Sequence, residues 1–209
     1  MIEAHADTLL RLAGPPEFTT TCVLPALAEL VRSGLRLQVT LGRPSEKLLT
    51  GLGEGEYDLV VSTTPPDPVL FTVTELYREE FALVASPDLV REIGSEGPQA
   101  LAGLPMVAYS EDRPLIRRYW REVFGEEPGT VPAAVVPDLR GVLSLAVAGA
   151  GFTVLPYYLC RRELASGALV PVMEPPKAPA NTIFLATQGS GNRMIADACR
   201  VLLQSSPAW

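Results

Sequence analysis

The sequence predicts an α/β protein of two Rossmann-like lobes joined by two crossover segments, and three observations carry that expectation. Residues 9–61 read as strand, helix, strand, helix, strand, the order of a parallel sheet with right-handed crossovers. Two proline-marked stretches, Pro65-Pro-Asp-Pro68 and Pro175–Pro179, interrupt the alternation. They bracket an inserted lobe, giving lobe I as 1–71 and 173–209 and lobe II as 72–172. Between them, Asp138–Pro156 reads as a helix, a two-glycine corner and a short buried strand, one half of an α/β unit.

Leu9–Ala13 is apolar enough for a strand and stops at Gly14. Thr19 to Thr21 offer caps for a helix over Cys22–Arg32, with Leu24, Leu27, Ala28 and Val31 on one face and Pro25 in the first turn. Leu35, Leu37, Val39 and Leu41 alternate with polar residues, as in a half-buried strand. Ser45–Leu52 follows as a short helix, and Leu59–Val61 as a third strand running into Ser62-Thr-Thr64. Val69–Leu76 and Phe81–Ala85 are extended on either side of Tyr77–Glu80. Ser86 opens a small helix to Ile93, and Gly94–Pro98 is a loop. Leu104–Tyr109 is a strand, Pro114–Phe124 an amphipathic helix with Ile116, Tyr119, Trp120 and Val123 on its apolar side, and Thr130–Val136 a strand.

Asp138 caps the next helix, whose apolar face holds Val142, Leu145 and Ala146. Gly149 and Gly151 end it, because glycine takes positive φ freely. Phe152–Leu155 is a buried strand stopped by Pro156. Tyr157–Ala165 is helical, Leu169–Met173 extended, and Thr182–Thr187 a strand. Gly189-Ser-Gly191 turns into a last helix, Arg193–Leu203.

The chain has 209 residues, of which 47% are hydrophobic and 20% charged, so it is long enough to bury a core. Its net charge of −7 repels phosphate backbones, so this polypeptide alone is a poor nucleic-acid binder. No apolar run is long enough to span a bilayer, and no secretory signal is visible, so a cytoplasmic location without membrane contact is expected. Cys22, Cys160 and Cys199 form no CxxC pair, which argues for reduced, buried thiols rather than zinc or redox chemistry.

Enzyme chemistry finds no support. The one histidine is His5, near the start, so a nucleophile–histidine device has no base. No two-histidine metal pattern, phosphate loop or nucleophile elbow is present. Gly51-Leu-Gly-Glu-Gly55 follows a helix rather than a strand, unlike a nucleotide loop. Glu111 and Asp112 are adjacent carboxylates of the kind usually solvated. No cofactor and no metal are expected.

Several blocks resemble a known family. Leu12-Ala-Gly14 followed by Val23-Leu-Pro25, the spacing Ser45, Leu48, Leu52, Gly55, Asp58, Leu59, and Glu75–Glu80 fall in order. Val147-Ala-Gly-Ala-Gly-Phe-Thr-Val-Leu-Pro156 and Leu164–Val170 complete the series. Together they resemble the effector-binding (regulatory) domain of LysR-type transcriptional regulators over nearly the whole chain. The resemblance implies a type II periplasmic-binding-protein-like fold, a small-molecule effector in an inter-lobe cleft, and antiparallel pairing into a homodimer or homotetramer. It also implies DNA contact through an N-terminal winged helix-turn-helix that this sequence lacks, with Met1–Thr8 as the end of a linker helix. Arg43-Pro44 departs from the family, where a glycine followed by an acidic or small residue is common. Phe18 stands where many members have a small hydroxyl residue.

By position, the resemblance lines the cleft with Glu17, Phe18 and Thr19 after the first strand and Arg43 and Ser45 after the second. Thr63 and Thr64 follow the third. Ser110, Glu111 and Arg113 come from the inserted lobe, and Asp138, Leu139 and Phe152 lie near the hinge. Helix starts favour anions, so a carboxylate effector is expected, with Ser45 donating and Arg43 or Arg113 clamping. Each residue also has a plainer reading: Ser45 as a local cap, the arginines as solvated, Phe152 as core. Glu17 and Glu111 would instead suit a cation. The rival to a regulator is a solute-binding protein or stand-alone receptor of the same two-lobed architecture, and fold analogy does not separate them.

Overall fold

The computed structural model describes residues 9–93, 97–189 and 192–209. His5 and the expected linker end at Met1–Thr8 lie outside them, as do Gly94 to Glu96 of one loop and Ser190 and Gly191 of the last turn. The described residues form two compact units, Met1–Arg78 with Asn181–Trp209 and Glu79–Ala180. The chain therefore crosses at Arg78–Glu79 and Ala180–Asn181, seven and eight residues after the expected lobe bounds at 71 and 172 and within the strands Thr72–Ala85 and Ala180–Thr187 rather than at the prolines.

In the first unit, Leu9–Gly14 (β1) is central because Leu10, Leu12 and Ala13 are all buried. Arg36–Leu41 (β2) pairs parallel with it from Leu9↔Arg36 to Gly14↔Leu41. Leu59–Ser62 (β3), buried at every position, pairs parallel on its other side. Ala180–Thr187 (β9) closes this sheet antiparallel to β3, with Val60 opposite Ala186. Ser45–Gly53 (α3) packs Leu48 and Leu52 over Ala13, Val60 and Ala186. Arg193–Ser205 (α8) buries Met194, Ala198 and Leu202 at four-residue spacing, and the Asn192 side chain caps it by accepting from the Met194 N–H at 3.0 Å.

The first helix starts earlier than its threonines suggest. Pro16–Phe18 (α1) runs into a π-helical turn at Thr19–Val23 and then Leu24–Arg32 (α2). Pro25 thus sits in mid-helix. It has no N–H and its ring crowds the carbonyl four residues back, and the widened turn, in which the Leu24 N–H reaches Thr19 O, relieves that conflict.

In the second unit, the two extended segments around Tyr77–Glu80 are one strand, Thr72–Ala85 (β4), entering from the first unit. The charged run does not break it, because exposed Arg78 and Glu80 alternate with buried Glu79 and Phe81. Thr153–Pro156 (β7) and Val170–Pro171 (β8) both pair antiparallel with β4. Ser86 caps Pro87–Glu92 (α4). The strands expected at Leu104–Tyr109 and Thr130–Val136 shrink to Val107–Ala108 (β5) and Ala134–Val135 (β6), a parallel pair. Pro114–Tyr119 (α5) continues as a π-turn to Phe124, and Gly125, at φ 72°, ends it. Asp138 caps Leu139–Val147 (α6) by accepting from the Arg140 N–H at 2.8 Å. Tyr157–Ser166 (α7) follows β7 directly.

The two corner glycines act differently. Gly149 adopts φ 79°, as the turn requires. Gly151 has no positive φ; a Cβ there would lie 2.4 Å from the Pro105 carbonyl oxygen. Its lack of a side chain lets two backbones meet, so that the Phe152 N–H donates to Pro105 O at 3.0 Å.

At the amino edge of the first sheet, Asp58 accepts from the Arg11 backbone N–H at 2.8 Å and from its guanidinium at 2.7 and 3.1 Å. Burial pushes the Asp58 carboxyl up, but the hydrogen bonds and charge of Arg11 outweigh it and hold the carboxyl below its ordinary value. A carboxyl depressed in the folded state binds its proton more readily when unfolded. Its contribution is therefore present above the ordinary carboxyl range and lost as pH falls through the folded value. Urea midpoints between pH 7 and pH 3 should drop less steeply for Asp58→Asn than for the parent chain; parallel curves would contradict this.

Candidate functional site

Because β1, β2 and β3 are parallel, their carboxyl ends share one edge of the first unit, where open α/β sheets bind ligands. Gly14 ends β1, and a Cβ there would lie 2.5 Å from Thr19 Oγ1 and 3.0 Å from Val61 Cβ. The missing side chain lets the helix start fold back against β3. The Gly42 N–H donates to Gly14 O at 3.1 Å, drawing the loop after β2 to the same edge.

On this edge Glu17 is buried, its side chain 3% exposed, and it is ion-paired with the Arg43 guanidinium, whose side chain is 38% exposed. Ser45 begins α3 and is buried. Its Oγ lies 3.0 Å from Thr63 Oγ1 and accepts from the Thr63 N–H at 3.1 Å. Thr63 O accepts from Asn181 Nδ2 at 3.1 Å. Thr64 is held in a tight turn by Ser62, whose Oγ donates to Thr64 O at 2.6 Å and accepts from the Thr64 N–H at 3.2 Å. Ser45 does not cap its own helix. The edge thus combines a helix start, two linked hydroxyls, a half-exposed guanidinium and a buried carboxylate. The first three suit an anionic oxygen acceptor.

Two neighbours are differently employed. Phe18 is 1% exposed; its ring stacks on Tyr77 at 5.6 Å and meets Trp209 edge-on at 5.3 Å, so it is core. Thr19 is fully buried and its Oγ1 has no hydrogen-bond partner.

In the second unit, Arg113 opens α5 in the left-handed conformation, at φ 49°. Its Nη1 donates to Thr130 O at 2.5 Å and Pro128 O at 3.3 Å, so the guanidinium braces its own unit. The Ser110 carbonyl accepts from the Arg113 N–H at 3.1 Å, and Glu111 is exposed. Asp138 caps α6 and pairs with Arg140 at 2.7 Å; the Arg140 hydrogen bond holds its carboxyl low against a smaller effect of burial. Leu139 is 4% exposed among Val107, Val142 and Leu155. Phe152 is fully buried and stacks on Trp120 at 5.9 Å. A separate cavity of about 560 Å³ in this unit is lined by Leu101, Trp120, Glu126 and Thr130 among others, none of them a sequence-predicted site residue.

No group of side chains among the described residues could hold a metal ion. Burial, with the Glu163 charge behind it, pushes the Cys160 thiol up to about 12, and burial pushes Cys199 to about 11. Neither is a ready nucleophile.

Comparison with known proteins decides the family. Residues 4–205 match the profile described as LysR substrate binding domain. The chain belongs to the LysR substrate binding domain family. It is similar to the HTH-type transcriptional regulator AbaB of Streptomyces antibioticus, 43% identical over 210 residues covering 96% of this chain and 69% of that protein. It is 27% identical over 169 residues to the HTH-type transcriptional regulator ArgP of Vibrio parahaemolyticus, covering 78% of this chain and 55% of ArgP. The chain thus spans about half to two thirds of these relatives' length. Such relatives are transcriptional regulators, not enzymes.

Solved structures with the LysR fold superpose well. The C-terminal domains of a LysR family protein from Agrobacterium tumefaciens give a TM-score of 0.83 at 20% identity, covering 96% of this chain and 97% of that one. Full-length LysG from Corynebacterium glutamicum with bound effector Arg gives 0.77 at 18% identity, covering 96% and 68%. The family's type II periplasmic-binding-protein-like fold accounts for the α/β layers and the discontinuous first unit. No helix of the described residues is long and apolar enough to cross a membrane.

Sequence reasoning missed the Glu17–Arg43 pairing and the role of Asn181. Nothing in the sequence around Asn181 marks it. Glu17 and Arg43 stood in the expected set, but their pairing needs side-chain coordinates.

Proposed function

We propose that this chain is the sensing part of a transcriptional regulator, and that it binds a small effector bearing a carboxylate at the carboxyl ends of β1, β2 and β3. The linked Ser45 and Thr63 hydroxyls at the start of α3 are the observation that carries this reading. They are buried or half-buried donors that an oxygen acceptor would meet, with Arg43 beside them on the same edge. The net charge of −7 fits a chain whose DNA contacts are made elsewhere in the whole regulator, acting in the cytoplasm without catalysis.

The test is isothermal titration with a panel of aromatic and aliphatic carboxylates, including amino acids. A member of the panel should bind the parent chain. Ser45→Ala should weaken it about tenfold and Arg43→Ala roughly thirtyfold, as expected for lost neutral and charged hydrogen bonds. Arg113→Ala should leave affinity unchanged, because that guanidinium is held by Thr130 and Pro128. Equal binding by Arg43→Ala, Ser45→Ala and the parent would overturn the site.

The same proposal has two copies pairing through α2 and β2 of one and the Glu79–Ala180 unit of the other. Val31 on α2 is 45% exposed and Leu41 on β2 is 43% exposed. Strand β2 lies at the end of its sheet with an open edge. Sedimentation at micromolar concentration should show a dimer or tetramer; a monomer contradicts the pairing.

A further inference from the structure

We infer that Asn181 fits this site to a carboxylate rather than to the matching carboxamide: its side-chain amide covers the Thr63 carbonyl and so removes an acceptor from beside the ligand. The inference rests on the effector site proposed above and concerns its specificity.

Strand β3 pairs with β9 only as far as Ser62, opposite Phe184. The Thr63 carbonyl therefore lies past the end of the ladder and takes its donor from a side chain, Asn181 Nδ2 at 3.1 Å. Both residues belong to the first unit. Only the amide end of Asn181 suits this contact, because its oxygen would face another acceptor. The N–H of the same peptide, on Thr64, donates to Ser62 Oγ at 3.2 Å. The Thr63–Thr64 peptide is thus clamped at both ends, and it does not turn over while Asn181 holds it.

The clamp has an electrostatic consequence. Thr63 Oγ1 lies 3.0 Å from Ser45 Oγ, and the Thr63 N–H donates to that same serine oxygen. A carboxylate bound by these hydroxyls lies close to the Thr63 carbonyl, because that hydroxyl and that carbonyl belong to one residue. A carbonyl oxygen without a donor repels an anion, and it is costly where water is scarce. The Asn181 N–H satisfies the oxygen and offsets its partial charge. A carboxamide is the opposite case, since its own N–H can fill a bare carbonyl. Covering Thr63 O therefore favours the acid and withholds a partner from the amide. Asn181 is a positioning residue that acts through Thr63.

The far end of β9 explains why the effect stays local. Gln188, just past the strand, donates from Nε2 to the Gly53 carbonyl at 2.7 Å, at the end of α3. The helix that begins with Ser45 is anchored there independently of Asn181.

Isothermal titration of the carboxylate panel against the primary amide of each member tests this, with benzoate and benzamide, and hexanoate and hexanamide, among the pairs. On the parent chain at least one acid should bind roughly tenfold more tightly than its amide. In Asn181→Ala that ratio should fall roughly tenfold, the acid weakening while the amide holds or gains. Asn181→Asp, of nearly the same size, sets a second acceptor against the carbonyl and should lower the ratio at least as far. The urea midpoint of Asn181→Ala should stay within about 0.5 M of the parent, as expected for one lost hydrogen bond. Equal weakening of acid and amide in both variants would make Asn181 merely structural and overturn the inference, leaving the carboxylate site standing. Amides that bind the parent as tightly as their acids would do the same. No binding by any member of the panel at about 10 mM, near the weak limit of specific recognition, overturns the site itself.

Discussion

Replacing Phe152 by alanine is expected to lower the unfolding free energy by about 3–5 kcal/mol, while effector affinity stays within about twofold of the parent. Phe152 is fully buried at the entry to β7. Its ring stacks on Trp120 at 5.9 Å and shares a core with Leu101, Met106, Ile116 and Tyr119. Truncation leaves a cavity where the neighbours are themselves large and interlocked, so little relaxation is available. Urea unfolding followed by tryptophan emission, since Trp120 is the adjacent fluorophore, gives the stability change, and titration gives the affinity. A large loss of affinity with little loss of stability would return Phe152 to the list of ligand contacts.

Gly151→Ala comes next, with an expected loss of about 3 kcal/mol or more. The added methyl would meet the Pro105 carbonyl oxygen at 2.4 Å and its carbon at 2.9 Å, and both are backbone atoms that no rotamer change can move aside. Separating the strands breaks the Phe152-to-Pro105 hydrogen bond of 3.0 Å and strains the Val107-to-Phe152 bond of 2.9 Å. Gly149→Ala meets nothing closer than Ser86 Oγ at 3.5 Å, and its difficulty is only the φ of 79°. That conformation costs about 1–2 kcal/mol. Urea midpoints should therefore rank the parent above Gly149→Ala, and Gly149→Ala above Gly151→Ala. The reverse order would mean that conformation, not close approach, sets the corner.

That corner also shows what can be read from sequence. The helix, its Asp138 cap and the following strand were legible because each rests on local chemistry: a 3.6-residue apolar period, a carboxylate before it, a β-branched run after it. The parallel β1–β2–β3 arrangement was legible for the same reason, and it puts the loops bearing Glu17, Arg43, Ser45 and Thr63 on one edge. Reasons that depend on a distant partner were not legible. Gly151 is explained by Pro105, forty-six residues away along the chain. Phe18 is explained by Tyr77 and Trp209, which claim its ring for the core. An aromatic residue in a loop looks the same whether it faces a ligand or a neighbouring ring. The helix start at Pro16 was signalled by proline itself, which suits a first turn, but three consecutive threonines competed as caps. Arg113 was legible as a guanidinium near a helix start, but its hydrogen bonds to the carbonyls of Pro128 and Thr130, fifteen and seventeen residues on, were not.

The most direct measurement is a crystal structure with the tightest-binding member of the carboxylate and amino-acid panel. The carboxylate should lie within hydrogen-bonding distance of the Ser45 and Thr63 hydroxyls, with the Arg43 guanidinium turned toward it. A ligand seated in the cavity beside Trp120, or one whose carboxylate points away from the start of α3, would contradict the account.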